Sequence, residues 1–260
     1  MNSAFFFDAH CHWRVAEDND CAPLAWGEGI VGMVCGGTGP DDWDAVRLAT
    51  AARTTVVIPA YGLHPWFVTS EAGTDAAALE RLAALLQVDQ RAAVGEIGLD
   101  VARGGIASHE RQRVLLLAQL ELARRFERVA VIHCVRAWGA LQETLAEAGP
   151  LSRGFVLHAY AGSAEMVLPL ARLGAFFSFK ASGDTPGPKR LARIRAVPPE
   201  RLLLESDLHL GAGGASAAEQ WQRLNDVAGQ LAAATGMTLE QVARLTAENA
   251  RRLFTAYERA

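Results

Sequence analysis

The sequence predicts a single-domain α/β protein, a (β/α)8 TIM barrel spanning residues 1–260. Three observations predict it. Short runs rich in Val, Ile, Leu and Phe alternate with longer Ala/Leu/Arg/Glu segments from end to end. The short runs are continuously apolar, as strands buried on both faces of a parallel sheet must be. Eight such alternations in about 250 residues is the arithmetic of the barrel, with a doubly wound open sheet as the competitor.

In chain order, strands are predicted over 5–12, 30–36, 54–61, 92–99, 129–134, 154–160, 175–180 and 201–206. Helical patterns fill the gaps at 41–53, 75–88, 108–125, 137–148, 164–173 and 188–196, and two more follow at 217–234 and 239–257. Ser216 with Glu219 and Thr238 with Gln241 fit capping boxes, in which hydroxyl and side-chain oxygen satisfy free backbone N–H groups. No linker, low-complexity tract or repeat divides the chain.

Composition excludes several classes. Half the residues are apolar and 21% charged, which rules out a disordered chain. The net charge of -4 argues against a protein that coats nucleic acid through a basic excess, though not against a nuclease with a local basic rim. The cysteines Cys11, Cys21, Cys35 and Cys134 form no CxxC pair and sit in or near apolar stretches, so they read as reduced thiols of a cytoplasmic protein, with a Cys11–Cys21 disulfide the minor alternative. The apolar run at 5–7 is cut short by Asp8 and His10, so no signal peptide is expected, and no run reaches the ~18 apolar residues of a membrane span.

Histidines and acids cluster at predicted strand ends. His10 and His12 close the first strand, two residues apart and hence on one face. His64 follows the third strand; Glu96 and Asp100 flank the end of the fourth. His133, His158 and the pair Glu205 and Asp207 end the fifth, sixth and eighth. In a barrel these ends share one mouth, where barrel active sites are built. Imidazoles and carboxylates converging there are costly to bury without a partner, and a divalent metal, or a carboxylate-bridged pair, is the natural one. Each histidine alone has a bland reading as a hydrogen-bonded structural residue, His64 above all. The same-face spacing of His10 and His12 and the recurrence at separate strand ends favour chelation. His109, without a second His at zincin spacing, reads as surface, and His209 as peripheral.

Arg136 and Lys180 lie just beyond strand ends, where each could bind phosphate or serve a structural salt bridge. Trp13, Trp66, Trp138 and Tyr160 also follow strand ends and could stack on bases or simply wall the pocket. The GxGxxG match at 27–32 precedes a strand instead of following one, so a dinucleotide site is not expected. Walker A, GxSxG and HExxH sequences are absent.

The ordered set of blocks resembles the TatD family of metal-dependent hydrolases, within the amidohydrolase-like barrels. They are Asp8-Ala9-His10-Cys11-His12, Gly62-Leu63-His64-Pro65, Gly95-Glu96-Ile97-Gly98-Leu99-Asp100, Ile132-His133-Cys134, His158-Ala159-Tyr160-Ala161-Gly162, Leu204-Glu205-Ser206-Asp207 and the closing stretch 248–254. The resemblance implies two divalent ions, Zn, Mg, Mn or Ni. His10, His12 and Asp207 would hold one; Glu96 would bridge to the second, completed by His133 and His158. Glu205 would orient a ligand or its water, and His64 would lie at the rim and touch substrate; Arg136, Lys180 and Tyr160, by their places after strand ends, are the further candidate substrate contacts. The implied activity is hydrolysis of phosphodiester bonds in DNA by a metal-activated water, with Asp207 accepting the proton and single-stranded DNA or a small phosphodiester as partner of a monomer. Departures from the family pattern fall at 134–139, 159–160, 206 and 208–209 and spare the ligand positions. Hydrolysis of small esters, amides or lactones on the same site, and a non-catalytic barrel subunit, are the alternatives.

Overall fold

The computed structural model describes residues 5–14, 29–51, 56–68, 72–102, 106–183, 186–211 and 213–255. Strands β1 (Phe6–Arg14), β2 (Ile30–Gly36), β3 (Val56–Tyr61), β4 (Ala93–Asp100), β5 (Ala130–Val135), β6 (Phe155–Leu157), β7 (Ala175–Phe179) and β8 (Leu202–Leu204) pair in parallel, each with its neighbour in sequence. A ninth strand, β9 (His209–Gly211), pairs in parallel with β1. It was not expected from sequence, because its three residues form no apolar run. β8 and β9 are two short pieces of one path, interrupted at 205–208. Across that interruption Asp207 N–H donates to the His10 carbonyl at 3.0 Å and His12 N–H to the Leu208 carbonyl at 2.8 Å, so the sheet closes on β1.

Helices α1 (Pro40–Ala51), α2 (Ala72–Val88), α3 (Ile106–Arg125), α4 (Trp138–Ala148), α5 (Val167–Arg172), α6 (Pro188–Ala196), α7 (Ala217–Thr235) and α8 (Leu239–Phe254) follow the predicted order. Both predicted capping boxes are formed, at Ser216 and Thr238. One apolar layer lies between sheet and helices and includes Phe6, Met33, Trp43, Leu116 and Leu224. A second fills the barrel: Phe7, Ala9, Val34, Ile58, Val131, Val156 and Leu203, closed below by Leu253 and Phe254 of α8. The Phe7 and Phe254 rings stack with centroids 6.3 Å apart.

Cys11, Cys35 and Cys134 are free and buried; Cys21, and so the disulfide alternative, lies outside the described residues. Among the described residues no helix is long and apolar enough to cross a membrane.

Candidate metal centre

Strand alternation alone does not aim the ligands. On β1, Phe7 and Ala9 face the barrel interior while Phe6, Cys11 and Trp13 face the helices. The β1–β2 register shifts between Asp8 and Cys11, which changes the parity of the strand and turns His10 and His12 inward above Ala9. β4 does the same: Ala93 faces in, the register shifts between Val94 and Ile97, and Glu96 is aimed inward. Such irregularities re-aim a side chain at a functional site. Two glycines make the room. A Cβ on Gly36 would sit 2.9 Å from the His10 ring, and one on Gly98, whose φ is 150°, would run into the His133 carbonyl at 1.9 Å. At the mouth, Arg136, Ala159 and Asp207 take positive φ values of 56°, 44° and 53°. Such conformations cost of order 1–3 kcal/mol each and cluster at functional sites.

Glu96 stands at the centre with its two oxygens turned to two different groups. Oε2 lies 3.4 Å from His10 Nε2 and 3.5 Å from His12 Nε2, and those two nitrogens are 3.1 Å apart. Oε1 lies 2.8 Å from His133 Nδ1 and 2.7 Å from His158 Nε2, which are also 3.1 Å apart. Asp207 Oδ1 approaches His10 and His12 Nε2 at 3.9 and 3.8 Å. His10 and His158 share one centre, their ring centroids 4.4 Å apart.

These edges fit a metal. With bonds of ~2.1 Å to nitrogen or oxygen, the first triangle's edges subtend about 95–115° at a common ion, the range of tetrahedral coordination. The second triangle's edges subtend about 80–95° at the same bond length, nearer the right angles of a larger coordination number. Paired imidazole nitrogens facing each other and one carboxylate make poor hydrogen-bond partners for themselves but a natural cation donor set. Three overlapping groups, His10/His12/Glu96, His10/His158/Asp207 and His64/Glu96/His133, bring their ligand atoms within 4.8 Å of one another.

Outer contacts fix the ring orientations. His12 Nδ1 lies 3.0 Å from the Gly36 carbonyl, and His158 Nδ1 lies 3.5 Å from Glu205 Oε1. Glu205 is fully buried and accepts hydrogen bonds from Ala159 N–H at 2.8 Å and from the Ser178 hydroxyl. Metal-bound histidines usually have such partners on the far nitrogen. Two further carboxylates lie close by. Asp100 Oδ2 touches His133 Nε2 at 3.3 Å and accepts from the Trp66 indole at 2.5 Å. Asp8 does not join the ligands despite its spacing; it faces outward, where it accepts from Ser206 N–H, the Ser206 hydroxyl and Gln220 at 2.9, 2.6 and 2.8 Å.

Charge is tightly arranged. Burial opposes ionisation of Glu96, but the His158 charge and hydrogen bonds from His10, His133 and His158 outweigh it, and the carboxyl falls well below its ordinary range. Burial works against charge on His158 as well; Glu96 and Glu205 reverse that and raise it well above the usual imidazole value. His12 is pushed down to about 4 by burial and then by His10. Asp207 is likewise held ionised: burial opposes it, and His10, His158 and Lys180 prevail.

The expected substrate contacts divide. Lys180 lines the cavity and donates to Asp207 Oδ2 at 2.5 Å. His64 also lines the cavity, but deep in it: it is buried, with Nε2 3.3 Å from Glu96 Oε1. Arg136 is exposed and does not line the cavity. Tyr160 is no surface contact: β6 ends at Leu157, the chain turns through Ala159, and the ring is buried against Trp138, Phe177 and Phe179 with its hydroxyl on the Ser163 carbonyl at 2.8 Å. Trp13 is also buried. His209, expected to be peripheral, lines the mouth and stacks on His12, centroids 4.8 Å apart at 20°. His109 is half-buried on α3 and does not line the cavity.

A parallel barrel whose strand ends bring imidazoles and carboxylates together around one buried glutamate has the donor set of a metal-dependent hydrolase. The model of the family described as TatD related DNase matches residues 7–255, and the chain belongs to the TatD family. It is 26% identical to the human deoxyribonuclease TATDN3 over 260 residues, covering 95% of this chain and 93% of that protein. It is 31% identical to the 3'-5' ssDNA/RNA exonuclease TatD of Erwinia billingiae over 199 residues, 75% of this chain and 74% of that protein. The crystal structure of YjjV, a TatD homolog from Escherichia coli, superposes with a TM-score of 0.79 at 28% identity and covers 96% of this chain and 98% of that one.

Proposed function

We propose that this chain hydrolyses phosphodiester bonds in DNA, with single strands as substrate, using two divalent ions held on either side of Glu96. The observation that carries the reading is the division of Glu96: Oε2 faces His10 and His12, Oε1 faces His133 and His158. Asp207 would complete the first position, and His64 is near enough to the second to join it. Zn and Ni suit the imidazoles, and Mg and Mn the carboxylates. Bound there, such ions lower the pKa of water and offset charge on phosphoryl oxygens. The names of the human and bacterial relatives support the substrate class.

The chain's own residues do the rest. Asp207, ionised and beside the ligand cluster, accepts the proton of the attacking water. Lys180 holds Asp207 Oδ2, leaving Oδ1 toward the ligands, and its half-exposed ammonium is placed to meet a phosphate oxygen. Glu205 orients His158, and Asp100 orients His133. All the ligand groups come from one chain, so the site is complete in a monomer. The three buried free thiols suit a reducing compartment, the cytoplasm.

The test is purified protein reconstituted separately with each of the four metals and assayed on single-stranded DNA beside a phosphodiester, ester, amide and lactone panel. Metal-dependent cleavage of the DNA is the expected result. Turnover of a lactone or ester with no phosphodiester cleavage would overturn the substrate class and leave the metal site standing.

A further inference from the structure

Of the described Trp, Tyr and Phe residues that follow strand ends, Trp66 alone combines a place on the cavity with broad exposure. Trp13 and Tyr160 are in the core, and Trp138 is half-buried against the Tyr160 ring. Trp66 sits on a 3-10 turn over Pro65–Phe67, begun by His64, whose Nδ1 accepts from Trp66 N–H at 3.1 Å. Nearly half of its surface, 46%, is open, although it is the largest kind of apolar side chain, and its neighbour Phe67 is 52% exposed.

The indole is nevertheless held. Its N–H donates to Asp100 Oδ2 at 2.5 Å, and Asp100 is itself buried against His133. The His64 and His133 rings meet it steeply, at 78° and 74°, with centroids 4.8 and 6.2 Å away, so neither stacks parallel to it. An exposed indole locked by a buried carboxylate is a preorganised flat surface, and the ordering entropy of stacking has been met in advance. The cavity beside it has a volume of about 470 Å³, room for a nucleotide and more.

We propose that Trp66 is the stacking platform of a nucleobase subsite, so that the base adjoining the scissile phosphate lies on the indole while the phosphate meets the Glu96 cluster. This rests on the nuclease reading and adds where the base binds. The specificity expected is for a flat heteroaromatic group with little preference among the four bases, because every base offers a π face. Asp100 then acts as a positioning residue for two groups at once, the His133 imidazole and the platform.

The experiment is a cycle between protein and substrate. Single-stranded oligonucleotides with a normal or an abasic terminal residue are assayed on the wild-type chain, Trp66→Ala and Trp66→Phe, with metal content measured for each. Removing the base is expected to raise KM about 5- to 150-fold in the wild type, the worth of one stacked base. In Trp66→Ala the same removal should change KM less than twofold, whereas Trp66→Phe, which keeps a ring but loses the bond to Asp100, should keep a reduced base effect. A separate arm needs no turnover. The metal-loaded chain is titrated calorimetrically with a nuclease-resistant dinucleoside methylphosphonate and with its abasic counterpart. Wild type should prefer the intact compound and Trp66→Ala should not. An equal base effect in wild type and Trp66→Ala, or no base preference in the wild type, overturns the platform. If DNA is not cleaved yet the titration shows the Trp66-dependent preference, the nuclease reading fails and the nucleobase subsite stands.

Discussion

Loading the site with metal should release at least one proton per chain at pH 7, the one held on His158. In the metal-free chain Glu96 is ionised and His158 holds a proton, because Glu96 Oε1 is 2.7 Å and Glu205 Oε1 3.5 Å from its two nitrogens. A metal ligand must be a neutral imidazole, so coordination displaces that proton. His12 adds none at neutral pH, since burial and His10 hold it at about 4 and it is already deprotonated. His64 is lowered as well, by burial. The sign follows. His158 is raised, so metal affinity climbs with pH, about tenfold per unit while one proton is released. Below pH about 4 His12 protonates too and the dependence steepens. Calorimetric titration of the metal-free protein in buffers of different ionisation enthalpy gives the count as a slope. Glu205→Gln removes one carboxylate that holds the His158 proton and should lower the slope below the wild-type value. A slope of zero in the wild type would show His158 neutral in the empty site, and a slope of three or more would show that its imidazoles are charged together; either refutes the arrangement of charge.

Asp207→Asn keeps an oxygen for the metal side but loses basicity, so turnover should fall about 10²-fold or more while metal content falls modestly, whereas Glu205→Gln should cost about 10- to 100-fold in metal affinity or activity; metal analysis and a phosphodiester assay separate them, and wild-type turnover in Asp207→Asn would remove it from the chemistry. His12→Ala or His133→Ala should abolish hydrolysis with the circular dichroism spectrum intact, and a variant with full metal and full activity is not a ligand variant. Gly98→Ala forces a Cβ onto the His133 carbonyl and should destabilise by about 3 kcal/mol or more in urea unfolding, so a midpoint unchanged from wild type would contradict the packing. Tyr160→Phe should cost about 1 kcal/mol for its bond to Ser163 and leave KM within twofold; a large rise in KM would restore Tyr160 as a substrate contact.

The barrel was legible because parallel strands buried on both faces must be continuously apolar, and 30–36 and 188–196 were predicted to the residue. Strand ends were less legible where tertiary contacts cut them: β6 stops at Leu157 because Ala159 turns to positive φ, and β9 forms only because β1 offers an edge. The ligands announced themselves as imidazoles and acids at strand ends. Their aim did not, since the parity changes in β1 and β4 leave no trace in composition. Asp8 illustrates the difference: it stands two residues before His10, yet the register shifts only after it, so it keeps the outward parity of Phe6 and meets Ser206 and Gln220. Asp100 is legible as an acid at the end of the fourth strand but its partners are not, and His209 reads as peripheral, because what they touch, His133 with Trp66 and the His12 ring, is brought near by the closing of the barrel.

Anomalous diffraction from a crystal of the metal-reconstituted protein tests the central claim most directly. Two peaks are expected on opposite sides of Glu96, one within coordination distance of Oε2, His10 and His12, the other of Oε1, His133 and His158. A single peak, or two peaks that Glu96 does not bridge, would contradict the account.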